Sequence, residues 1–114
     1  LINISNIIDD ATDFDRGVFI AALDNHLLNL PRFVEDVSRR VKQRELVMSL
    51  KKGLNADVQE YSLEEVDLFH DVLCFYKNSA ETYVDLEQSA EEALQLSLRK
   101  YTRRLEDFLY DLRK

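Results

Sequence analysis

The chain has one Pro and two Gly in 114 residues, one Cys, two His and no Trp. Strand-rich folds need turn residues every ten positions or so, and too few are here. Long helices with few connections remain. A single cysteine forms no internal disulfide, so nothing argues for an oxidising compartment. The longest apolar run, Val18 to Leu23, falls far short of the roughly 18 residues of a membrane span. A basic segment followed by an apolar one, the mark of a secretory leader, is also missing. Two glycines leave no phosphate-cradling loop, and there is no Cys-x-x-Cys, Glu-x-x-His or supportable Ser-His-Asp set. These absences predict a cytoplasmic chain with no catalytic residues, no cofactor and no metal.

Apolar residues make up 46% of the chain, which is enough for a core. The length suits one domain, residues 1–114, and the initial Leu suggests a piece of a longer protein. The net charge of −7 argues against nucleic acid and against anionic membranes as partners.

Ile2, Ile4, Ile7 and Ile8 predict an N-terminal segment docked on the bundle, or a short helix, rather than a free tail. Thr12 or Asp13 caps a first long helix to about Asn29, apolar around much of its circumference, with Gly17 available for a close helix contact. Pro31 predicts a break at Asn29–Leu30 and the start of a second helix, to about Lys52. Its apolar stripe reads as Phe33, Val34, Val37, Val41, Met48 and Leu50, with Leu46 and Val47 beside it. Gly53 is read as the stop after that helix.

The most specific local signal is Ser62 with Glu65, spaced as a capping box, inside Tyr61 and Val66, spaced as a hydrophobic staple. From there to Lys114 no Pro or Gly intervenes. The spacing predicts one long helix, with a bend or break near Asn78 as the alternative. Val66, Phe69, Leu73, Tyr76, Ala80 and Tyr83 form a coiled-coil-like seam, which shifts at Glu87 and resumes with Leu94, Leu98, Tyr101, Leu105, Phe108 and Leu112. The fold class is therefore all-α, an antiparallel helical hairpin or bundle of three to four helices with a long C-terminal helix.

Charge alternates along the chain. Residues 1–31 carry five acids and one base, 32–52 seven bases and three acids, 53–92 eleven acids and one base, and 93–114 six bases and three acids. Folded about residues 53–61, the hairpin sets Arg39–Lys52 beside the acidic Ser62–Phe75, and Arg99–Arg104 beside Asp10–Asp15. Opposite signs then specify the antiparallel register.

His70 and Cys74, at i and i+4, share a helix face and offer two zinc ligands. No second pair exists, so a closed site needs carboxylates or another subunit. His70-Asp71 resembles, over two residues, the phospho-accepting histidine of helical-hairpin signalling domains, although Cys74 replaces the polar residue usual four positions on. The resemblance makes His70 an alternative phosphoacceptor in a signalling domain. The composition as a whole predicts a non-enzymatic protein–protein interaction module, a dimerisation, adaptor or regulatory bundle. Its partner is another protein or a second copy, with Tyr76, Tyr83, Tyr101, Phe108 and Tyr110 as contacts, since aromatics dominate interface energetics. A further alternative is an acidic inhibitor covering a basic partner surface.

Overall fold

Among the described residues, five helices and a two-stranded ribbon are arranged in the order β1 (Ile2–Asn3), α1 (Ser5–Ile8), α2 (Asp13–Phe33), α3 (Val37–Asn55), β2 (Glu60–Tyr61), α4 (Leu63–Ala80) and α5 (Gln88–Arg113). The computed structural model describes residues 1–80 and 88–114, with side chains through 79 and from 90. Tyr83 and the seam shift at Glu87 lie outside the described residues.

The chain is an all-α bundle with a long C-terminal helix, α5, of 26 residues. The stretch from Ser62 onward is two helices, not one, and α4 ends at Ala80, close to the alternative break near Asn78. They pack antiparallel, because Arg113 reaches Asp67, Glu106 reaches His70 and Gln95 reaches the Lys77 carbonyl. Folding back lets both apolar seams face one core, where a straight helix would leave one seam in water.

The helix starts follow local chemistry. Thr12 and Asp15 form a complete capping box, as do Ser62 and Glu65. Asp36 caps α3 by accepting from the Ser38 N–H at 2.8 Å.

Two predicted stops are corrected. Pro31 sits inside the last turn of α2, which runs on to Phe33. Pro31 removes one ladder bond, but its fixed φ already suits a helix. Packing favours continuing, since the Phe33 ring meets Phe75 edge-on at 4.8 Å. Gly53 is interior to α3, and the left-handed residue after that helix is Asp57, with φ 55°. Glycine at 53 serves close approach instead: an added Cβ would lie 2.8 Å from Cε1 of Tyr61. Gly17, by contrast, has nothing within 4 Å of an added Cβ, so it makes no close helix contact.

The core centres on Phe19 of α2. Its ring meets Phe69 of α4 at 5.1 Å and Tyr101 of α5 at 4.8 Å, both edge-on. Leu23, Val47, Leu50, Val66, Leu73, Leu98 and Leu105 surround them, all fully buried. Ile4, Ile7 and Ile8 close one side as the docked N-terminal segment, held by β1 pairing with β2 (Ile2 opposite Tyr61). Among the described residues no helix is long and apolar enough to cross a membrane.

The predicted charge register holds in part. Arg104 forks onto Asp10 at 2.6 and 3.0 Å, with Lys100 at 3.5 Å from the same carboxylate. Ser49 donates to Glu65 at 3.1 Å, so α3 and α4 lie in the expected register. The bases of α3 nevertheless do not pair with the acids of α4, and Lys51 turns to Asp24 of α2.

Candidate functional site

Helix α3 carries two apolar stripes, not one. At about 100° per residue, Leu46, Val47, Leu50 and Leu54 face one way, and Val37, Val41 and Met48 face nearly opposite. Leu46 packs against the core cluster, and Val47, Leu50 and Leu54 lie in it. Val37, Val41 and Met48 are 68%, 53% and 50% exposed. The expectation of a single stripe through all of them is corrected. A helix packed on one side of a bundle buries only one face.

Arg44 and Lys52 flank the exposed stripe on the same outer face, and Arg40 stands at its edge, donating to the Val34 carbonyl. Over Val37–Asn55 the sequence holds six bases and one acid. Among the described residues, Arg39, Lys42, Arg44 and Lys52 have no carboxylate within ion-pair distance, whereas Lys100, Arg104 and Arg113 of α5 do. Of these α3 bases, Arg44 and Lys52 stand beside the uncovered apolar stripe, while Arg39 and Lys42 face the other side of the helix.

A groove of about 910 Å³ opens on the other side of α3. Leu30 and Phe33 of α2 line it, α3 adds Arg39, Lys42 and Leu46, and α4 adds Glu64, Asp67 and Asp71. His26, also in the lining, stacks on Phe33 at 6.2 Å, and both its ring nitrogens are buried without a partner. Burial lowers its pKa, against an opposing pull from Asp71.

Among the described residues, the expected aromatic contacts differ in exposure. Tyr101 is 0% exposed and donates to Asp15 at 3.1 Å, which makes it a core residue with no surface to offer a partner. Tyr76 and Phe108 are half-buried against the core, and Tyr110 is exposed with the Lys114 ammonium 5.9 Å from its ring.

His70 lies on α4 facing α5. Its Nε2 is 3.1 Å from Oε1 of Glu106 and 3.5 Å from Sγ of Cys74, and its Nδ1 is 3.4 Å from Oδ1 of Asp71. Nε2 therefore faces the Glu106 carboxylate across the α4–α5 seam. Burial pushes the Cys74 thiol up from its ordinary pKa, and the charge of Glu106 adds to the shift.

Asp15 is a buried carboxylate at the start of α2. It accepts from the Thr12 N–H at 3.0 Å, Ser97 Oγ at 2.8 Å and Tyr101 O–H at 3.1 Å. Burial would raise its pKa, but the hydrogen bonds from Thr12, Ser97 and Tyr101 prevail and lower it. Its partners make it a clasp between α2 and α5.

No family model, curated protein or solved structure matches the chain.

Proposed function

We propose that the chain is a non-enzymatic protein–protein interaction module that receives an acidic amphipathic helix of a partner on the outer face of α3. The observation that carries this reading is the exposed stripe of Val37, Val41 and Met48, bordered by unpaired bases in a chain of net charge −7. Apolar side chains at i, i+4 and i+11 suit a helix laid alongside, with its own apolar residues one turn apart. The bases select an acidic border on the partner and speed its encounter. A second copy is the weaker occupant, because two antiparallel α3 stripes would bring like-charged arginines together. The module works in the cytoplasm, where Cys74 stays reduced.

Fluorescence anisotropy with two synthetic amphipathic helices tests the reading, one bordered by Glu and one by Lys. The acidic peptide binds, weakens as salt rises, and loses binding in V41E/M48E. Equal binding of both peptides, or binding unchanged in V41E/M48E, refutes the reading.

A further inference from the structure

We infer that His70, Cys74 and Glu106 form a binding site for a divalent transition ion of the zinc class, joining α4 to α5. Two of these residues stand one turn apart on α4. The third comes from α5, brought opposite by the antiparallel return of the chain. Their ligand atoms all lie within 4.8 Å of one another.

The spacing suits a tetrahedral ion. With metal–nitrogen and metal–oxygen bonds of about 2.1 Å and a metal–sulfur bond of about 2.3 Å, adjacent ligand atoms stand about 3.4 Å (N to O) and about 3.6 Å (N to S) apart. The observed separations from Nε2 are 3.1 Å to Glu106 and 3.5 Å to Cys74. An ion therefore enters with small side-chain adjustments, and Glu106, an exposed and flexible side chain, makes the largest.

Asp71 completes the arrangement from the far side of the ring. A carboxylate on Nδ1 holds the proton there and turns the Nε2 lone pair toward the ion, the usual support of a metal-bound histidine. Without a cation, that lone pair faces the Glu106 oxygen and the Cys74 sulfur, whose S–H can donate to it. With one, all three atoms become ligands, and the thiol proton leaves to solvent. A sulfur and an imidazole among three donors select zinc-like ions over magnesium or calcium, which require oxygen. Three protein ligands leave the fourth position to water.

The test is titration of the reduced, purified chain with Co2+. The parent protein should develop a thiolate-to-cobalt charge-transfer band and the strong visible absorption of four-coordinate Co2+, both abolished by Zn2+. In C74S the charge-transfer band should vanish. E106Q and H70Q should each weaken cobalt binding by at least about tenfold, the smallest loss typical even of an outer partner. Glu64→Gln, in the groove of α3 and α4, should bind as the parent does. Circular dichroism confirms that each variant is folded. The proposal is overturned if the parent shows only the faint spectrum of hydrated Co2+. It is equally overturned if a thiolate band persists with unchanged affinity in both E106Q and H70Q, which denotes an adduct of the cysteine alone.

Discussion

Replacing Asp15 with Ala should cost about 3–5 kcal/mol of folding stability. The carboxylate serves three donors, the Thr12 N–H, Ser97 Oγ and Tyr101 O–H. A hydrogen bond to a charged group contributes about 1.5–3 kcal/mol, and an orphaned buried hydroxyl costs about 1–3 kcal/mol. Ser97 and Tyr101 are buried and would be orphaned, while the Thr12 N–H is partly buried and regains water. Losing the reciprocal half of the capping box adds about 0.5–1 kcal/mol. The full sum exceeds the range given because the two hydroxyls can turn to other acceptors. Against a typical domain stability of about 5–15 kcal/mol the loss is large. Urea denaturation followed by far-ultraviolet circular dichroism measures it. A cycle of D15A with S97A should show a coupling of about 1–2 kcal/mol, because the two residues share one bond. D15A within about 1 kcal/mol of the parent, or strict additivity with S97A, would refute the clasp between α2 and α5.

Three further outcomes follow from the same packing. Asp10 and Asp15 both have folded-state pKa values below the ordinary 3.8, so the unfolded chain takes up protons first. Stability should hold above the ordinary value and fall as pH drops below it through the folded values, with D15A flattening that fall in acid-dependent urea melts. Gly53→Ala should destabilise by about 1–3 kcal/mol, because its Cβ would overlap the Tyr61 ring, whose hydroxyl is tied to the Val58 carbonyl at 2.6 Å. An unchanged urea midpoint would contradict that contact. Gly17→Ala should stabilise by about 0.5–1 kcal/mol, since the site is helical and open, and a lowered melting temperature would show a contact there.

How much of this could be read from residues alone depended on the range of the interaction. Ser62–Glu65 acts over three positions and forms as spaced, and of the two cap candidates Thr12 and Asp13 it is Thr12 that caps α2, with Asp15 closing the box. The opposed charges of Asp10 and Arg104 gave the register of distant segments, because alternating blocks of charge constrain a whole helix pair. Pro31 and Gly53 misled because each is locally a breaker and each is overruled by a tertiary contact, Phe33 on Phe75 and Tyr61 over Gly53. Tyr101 looked like a surface anchor because periodicity reports which face a residue takes, not whether that face is covered. The same blindness merged the two stripes of α3. A count of helical angle separates Val37, Val41 and Met48 from Val47 and Leu50, but only packing tells which set stays uncovered. Glu106 could not be joined to His70 and Cys74 from spacing, since their meeting requires the chain to reverse between α4 and α5.

The outer face of α3 as a docking surface is tested most directly by nuclear magnetic resonance, with the acidic amphipathic peptide added to labelled protein. Shift changes should concentrate at Val37, Val41, Arg44 and Met48 and leave the buried Leu50 and Tyr101 nearly still. Changes centred on α5, or none at all, would contradict the account.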